Sequence, residues 1–183
     1  MIDSKKKLKE FLDYELKKYG KSKFDFLAIT EKQILKKHQI ILRKTEYYIN
    51  TKKRILSVIY RFRLSKIQNK YALHIPINCC DKGLKIMHLG PILVNGNAKI
   101  GKDCSMHINT CIVAGGTDNS APVLKDGVVI GCGAVILGGI TIANNIAIGA
   151  NAVVNKNFEE EDIAIAGVPA KKISDNGRTK WKK

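Results

Sequence analysis

The sequence has no cysteine framework. Its five cysteines, Cys79, Cys80, Cys104, Cys111 and Cys132, are odd in number and contain no CxxC pair. No secretory signal pattern precedes them, so reduced thiols in a cytoplasmic protein are expected rather than disulfides. Nothing in their spacing supports a metal site. Acidic residues are scarce, 16 against 32 Lys and Arg, for a net charge of +16. No nucleic-acid motif or aromatic platform is interleaved with that positive charge, so it reads as a solvated helical face. Attraction to an anionic partner, with peripheral association at the inner membrane face, is the functional alternative. Charge is missing altogether from Gly127 to Asn155, a length that could suggest a membrane span. Thr141, Asn144, Asn145 and Asn151, with five glycines between 131 and 149, interrupt the apolar surface and argue against one.

What is present falls into two parts. With 183 residues, 45% of them hydrophobic, the chain can bury a sizeable core. Residues 1 to 70 carry 20 basic against 7 acidic side chains, and the rest carry 12 against 9. Leu8, Phe11, Leu12 and Leu16 predict an amphipathic helix ending near Gly20. "TEKQ" at 30 to 33 reads as a capping box opening a second helix. A third is expected from Lys52 to about Lys70, with Ile55, Ile59 and Phe62 along one side in a packing role.

From Val94 the period changes to six. Val94, Ile100, Met106, Ile112, Leu124, Ile130, Ile136, Ile142, Ile148 and Val154 form one aliphatic set. Ile92, Ala98, Cys104, Thr110, Pro122, Val128, Ala134, Ile140, Ile146 and Ala152 precede them by two. Neither a helix nor an ordinary alternating strand has this period. It predicts a parallel β-helix in which three six-residue units complete a coil and stacked aliphatics form the core. Gly, Asn and Asp at the corners suit tight or left-handed turns; Asp103, Asn95 and Asn109 are read this way. The pattern breaks once, at "VAGGTDNSAPV", which predicts an extruded loop. The expected organisation is a basic α-helical region over 1–72, a repeat domain over 73–173 and a basic tail over 174–183.

"LRKTEYY" at 42–48, "DKGLKIMHLGPILVN" at 81–95, the repeats, "IAIGANAVVNKNF" at 146–158 and "AGVPAKKI" at 166–173 together resemble the hexapeptide-repeat acyltransferases. The resemblance is strongest to the serine acetyltransferase-like branch that includes O-acetyltransferases of bacterial surface polysaccharides. It implies a mainly β protein, a left-handed parallel β-helix preceded by helices, assembled as a homotrimer with active sites between subunits and using acetyl-CoA as co-substrate. His88 matches the family's first catalytic histidine, a general base, a task that suits an imidazole because such a ring can offer a proton-accepting nitrogen near neutral pH. Ala114, Gly115, Cys132, Ala150, Asn155, Lys156 and Lys171 match coenzyme A-binding positions. His107 is a secondary candidate for assisting His88 or touching the acceptor.

The acceptor side departs from the family. Met87 stands where serine acetyltransferases carry an aspartate, Ala121 where they carry a second histidine, and Leu73, beside His74, where an aspartate would orient the first. The expected activity is therefore acetyl transfer to a sugar hydroxyl of a surface (capsular) polysaccharide or its precursor. The alternatives are a serine O-acetyltransferase with an altered acceptor site and a non-catalytic β-helix scaffold or glycan-binding protein. A lone histidine among aliphatics is ordinarily a packing residue. Extending the six-residue register backward would bury both His88 and Lys82. An unpaired buried lysine is costly, so the register is expected to start or change between residues 82 and 94.

Overall fold

The computed structural model describes residues 1–20, 29–116 and 119–180. Thr117 and Asp118 of the predicted loop, and the last three residues of the predicted tail, lie outside the described residues.

Three helices come first. Helix α1 (Lys5–Lys17) is capped by the Ser4 hydroxyl, which accepts from the Lys7 N–H. Helix α2 (Glu31–Asn50) opens on the predicted capping box: Thr30 accepts from the Gln33 backbone while the Gln33 side chain accepts from the Thr30 backbone. Helix α3 (Arg54–Tyr71) ends at Ala72, whose left-handed φ of 55° turns the chain into the first strand. The packing side expected of α3 is corrected. Ile55, Ile59 and Phe62 are 79%, 46% and 70% exposed, while the helix is anchored by buried Leu64 and Ile67. Among the described residues no helix is long and apolar enough to cross a membrane.

From Leu73 the chain winds as a three-faced parallel coil. The first face stacks Leu73–His74, Ile92–Val94, Thr110–Val113, Val135–Leu137 and Val153–Val154. The second stacks Lys99–Ile100, Val123–Leu124 and Thr141–Ile142, extended by bridges from Cys80 and Phe158. The third stacks Lys85–Ile86, Ser105–Met106, Val129–Ile130, Ala147–Ile148 and Ala164–Gly167, with Ala170–Ser174 antiparallel at its end. Both six-residue ladders point inward, and every residue predicted in them is buried. Corner residues Asp103, Asn109, Asn145 and Asn151 adopt left-handed φ values of 55° to 61°, a conformation that Asn and Asp tolerate better than bulkier residues do.

Register records where the period breaks. Val94 pairs with Ile112 and Ile130 with Ile148, one 18-residue coil apart. Ile112 pairs with Ile136, so that coil holds six extra residues, and they fall before Val123, where the sequence pattern breaks. A second break lies earlier: Ile86 pairs with Met106 and Ile92 with Thr110, placing two extra residues between Ile86 and Ile92.

The first coil has no coil above it, and the helices take that place. Buried Arg43 donates to the Cys80 and Asp81 carbonyls at 2.9 Å each. It also pairs with Glu15 at 2.7 Å and Glu46 at 2.9 Å, all three side chains being at most 2% exposed. Burial alone would lower the Arg43 pKa, but the Glu46 and Glu15 carboxylates more than reverse this and hold the guanidinium charged. In turn Glu46 accepts from the Asn78 N–H, Glu15 from the Gly83 N–H and the Tyr19 hydroxyl from the Ile86 N–H, each at 2.9 Å. Burial raises the pKa of that Tyr19 hydroxyl.

Two stability predictions follow from this cap. Arg43→Ala leaves two carboxylates buried without their cation and is expected to cost about 3 to 5 kcal/mol in urea unfolding. Arg43→Lys recovers little of that, because one ammonium cannot fork between two carboxylates and two carbonyls. Separately, burial and then the Arg43 charge push fully buried His38 down to about 4, against about 6.5 when unfolded. The unfolded chain therefore takes up a proton first as pH falls. Wild type is expected to lose about 3 kcal/mol between pH 6.5 and 4 that His38→Leu does not lose; paired urea melts at the two pH values measure the difference.

Candidate functional site

The two extra residues after Ile86 decide where His88 points. Instead of following the inward ladder, the chain bulges at the corner between the third and first faces, and His88 stands exposed there. The predicted register change is thus real, and the packing role is excluded by geometry. His88 Nδ1 lies 3.5 Å from Glu31 Oε1, at the first residue of α2. The same oxygen accepts from the Leu89 N–H at 2.6 Å. The His107 ring is 5.9 Å from the His88 ring, centroid to centroid, inclined at 41°. His107 follows inward Met106 and is held through its backbone: its N–H donates to the Ile130 carbonyl, and its carbonyl accepts from the Thr110 hydroxyl.

Beside these histidines is a cavity of about 340 Å³ lined by Lys18, Lys85, Met87, Ser105, His107, Val129 and Arg178. Its cationic wall is anchored by Asp103, which does more than turn the corner. Asp103 accepts from Lys18 at 2.5 Å and from the Tyr14 hydroxyl at 3.1 Å, while Arg178 donates to its carbonyl. Partial burial by itself would raise the Asp103 carboxyl, but the Lys18 and Tyr14 hydrogen bonds hold it below the usual carboxylate range. Among the described residues no group of three His, Cys, Asp or Glu side chains could hold a metal ion.

The remaining candidates fall into two rows. Counting along the paired strands, Ile108, Cys132 and Ala150 occupy the His88 corner in successive coils. The Gly133 N–H donates to the Ile108 carbonyl and the Asn151 N–H to the Cys132 carbonyl, which ties the column together. At about 4.8 Å per coil, Ala150 lies roughly 14 Å beyond the His88 coil. The column must stay narrow: a Cβ on Gly131 would come within 2.7 Å of the Ala150 nitrogen, and one on Gly149 within 2.8 Å of Ala166 Cβ. Lys171 pairs with Ala166 and closes the far end. The second row, Ala114, Gly115, Asn155 and Lys156, sits at the corner between the first and second faces. Gly115 there packs against Gly138, a Cβ on it lying 3.2 Å from Gly138 Cα. Within one chain the two rows are separated by the width of the first face.

At Leu73 the structure has a fully buried core residue, and neighbouring His74 is exposed on the first face. Ala121 packs against the core at the base of the loop. Glu31 was missed by sequence reasoning. Its only signal was acidic first-turn chemistry in a capping box, which is read as helix stabilisation.

This architecture is a left-handed parallel β-helix of hexapeptide repeats, with an exposed histidine at a corner where the coil lengthens. No protein-family model matches the chain. It is 33% identical over 145 residues to a serine acetyltransferase of Buchnera aphidicola, covering 76% of this chain and 51% of the relative. Solved structures share the fold. Serine acetyltransferase of Brucella abortus in complex with coenzyme A superposes with a TM-score of 0.72 at 20% identity, covering 95% of this chain and 70% of that one. The Neisseria gonorrhoeae enzyme in complex with serine gives 0.67 at 22% identity, covering 93% and 71%. The chain belongs to the hexapeptide-repeat acyltransferase family. It spans about half the length of the curated relatives it matches, 51% and 55% of the two serine acetyltransferases from Buchnera aphidicola.

Cys132 gives a direct check on the column. It is exposed, Cys111 is half-buried, and Cys79, Cys80 and Cys104 are buried. Burial also pushes the Cys104 thiol up to about 12. Maleimide labelling followed by peptide mass spectrometry is expected to modify Cys132 first and to leave those three unmodified until the protein is unfolded.

Proposed function

We propose that the chain is an acetyl-CoA-dependent O-acetyltransferase with His88 as its general base. The observation that carries this reading is the alignment of exposed His88 with Cys132, Ala150 and Lys171 along one corner of a rigid coil. In the reaction, the imidazole takes the proton of an acceptor hydroxyl as its oxygen attacks the thioester carbonyl. A new ester C–O bond forms, the C–S bond breaks with its electron pair on sulfur, and the imidazolium returns the proton to the leaving thiolate. Backbone N–H groups at the corner offer stabilisation to the tetrahedral oxyanion. Cys132 and Ala150 would flank the pantetheine arm mainly through backbone groups. Lys171, at the far end, would offer charge to the nucleotide phosphates. Ala114, Gly115, Asn155 and Lys156, on the other side of the first face, would complete the groove from a neighbouring copy in a homotrimer. His107 is the secondary group at the acceptor.

The relatives are serine acetyltransferases, which supports L-serine as the acceptor over the sugar hydroxyl expected from the sequence. Three cations on the adjacent cavity wall suit the serine carboxylate. The sugar reading retains one specific support. Met87 faces that cavity where the family's aspartate would be, and among the described residues no acidic side chain lines it to receive an ammonium. A sugar bearing a carboxylate would meet the same wall without needing that partner.

The deciding experiment measures thiol release from acetyl-CoA with L-serine, D-galactose and D-glucuronate, with mass detection of the ester. Turnover on serine is expected, and turnover confined to the sugars would replace the serine reading. His88→Ala is expected to lower the rate by about 100-fold or more, with acetyl-CoA still shielding Cys132 from maleimide. Undiminished transfer by His88→Ala would remove the base assignment, and the absence of both transfer and shielding would favour a non-catalytic scaffold.

A further inference from the structure

A base that must give and take a proton through one ring nitrogen needs the other nitrogen held by a fixed partner. In this chain the strand position from which the family resemblance leads one to expect that partner is occupied by Leu73, which is fully buried and apolar. His88 itself is 58% exposed at its side chain, so packing alone does not set its ring orientation. The carboxylate that reaches it comes from the helical region instead.

We propose that Glu31 is the positioning residue of His88, supplying from the start of α2 the carboxylate that the first coil lacks; this rests on the reading of His88 as the base. Glu31 Oε1 stands 3.5 Å from His88 Nδ1, on the side of the ring that leaves Nε2 for the acceptor. The carboxylate is itself fixed. Its Oε1 receives the Leu89 N–H at 2.6 Å, from the residue next to the one it orients. Its backbone belongs to a first helical turn locked by the Thr30–Gln33 capping box. Among the described residues, the other ionisable groups around the pair are His107 and, from the cavity wall, Lys18, Lys85 and Arg178. None of these can accept an Nδ1 proton as a carboxylate does. With the Nδ1 proton facing Glu31, the lone pair lies on Nε2, and the imidazolium formed during transfer has an anion beside it.

Glu31→Gln separates this role from capping, because the amide oxygen still accepts from Leu89 while the negative charge is gone. With L-serine or D-glucuronate as the acceptor, whichever turns over, kcat is expected to fall about 10- to 100-fold. The KM for acetyl-CoA should stay within about twofold of wild type, since an interaction made chiefly in the transition state lowers kcat alone. In ¹⁵N spectra of histidine-labelled protein, which need no acceptor, the neutral His88 ring should move from the Nδ1–H form toward a mixture of tautomers. A Glu31→Gln enzyme with wild-type kcat and an unchanged His88 spectrum would overturn the proposal. So would a loss of rate accompanied by a lowered unfolding midpoint with the His88 spectrum unaltered, which would mark Glu31 as a cap only. His88→Ala measured in parallel keeps the two readings apart. If it is inactive while Glu31→Gln is fully active, only the positioning role fails; if it is active, the base assignment fails first.

Discussion

A stack of parallel coils ends in a row of backbone N–H and C=O groups with no further coil to receive them, and this structure is organised around that constraint. Leaving one such group buried and unpaired costs about 1 to 3 kcal/mol, and an open sheet edge invites pairing with other chains. Here the helices act as the missing coil. Arg43 supplies two donors to the Cys80 and Asp81 carbonyls, and Glu46, Glu15 and Tyr19 accept from the N–H groups of Asn78, Gly83 and Ile86. The Gln68 amide does the same for the Ile75 carbonyl. An ion triad is a costly choice for a buried position, because desolvating three charges offsets much of their attraction. Its geometry explains its presence: a planar fork meets two carboxylates and two carbonyls at once, which an apolar residue cannot do.

The cap also fixes the site. Residues Gly83 to Leu89 are held from above by Glu15, Lys18, Tyr19 and Glu31 in succession. His88 therefore leaves the coil on a segment whose backbone is tied on both sides of the bulge. The helical and repeat portions share one hydrophobic core running from Tyr19 and Leu35 through Leu73 to Ala170. That continuity transmits the position of α2, and hence of Glu31, to the corner where the histidine stands.

The six-residue period was legible because it depends only on which positions face inward, a local and repeated condition. All twenty predicted ladder residues are buried for that reason. The capping box of α2 was equally legible, since its two hydrogen bonds close within four residues. What could not be read were contacts between distant segments. Arg43 and Glu31 look like ordinary polar residues of a basic helix; their roles appear only when Cys80 and His88 are brought against them. Ile55, Ile59 and Phe62 misled in the opposite sense. Their spacing is that of a packed stripe, but α3 lies with Leu64 and Ile67 inward and leaves that other side exposed. For the direction of His88 the repeat pattern carried a contradiction, the buried lysine that an unbroken register would require, and the two extra residues after Ile86 resolve it.

Two insertions lengthen the coil, and both flank the first face. The bulge holding His88 lies at the corner where the chain enters that face, and the loop following Ala114 and Gly115 lies at the corner where it leaves. Where 18-residue coils follow one another they repeat one cross-section, so a side chain in one coil has a counterpart of similar direction in the next. Such a surface can align an extended ligand, but it cannot by itself single out a reacting atom. Singling out requires a break in the repeat, together with groups from outside the coil. In the proposed site those groups would be Glu31 on one side of His88 and Lys18 and Arg178 in the cavity by His107. On the proposed reading, donor alignment would belong to the repeats and acceptor selection to their exceptions, so that departures such as Met87 and Ala121 would alter the acceptor while leaving the regular column of Cys132, Ala150 and Lys171 as it is.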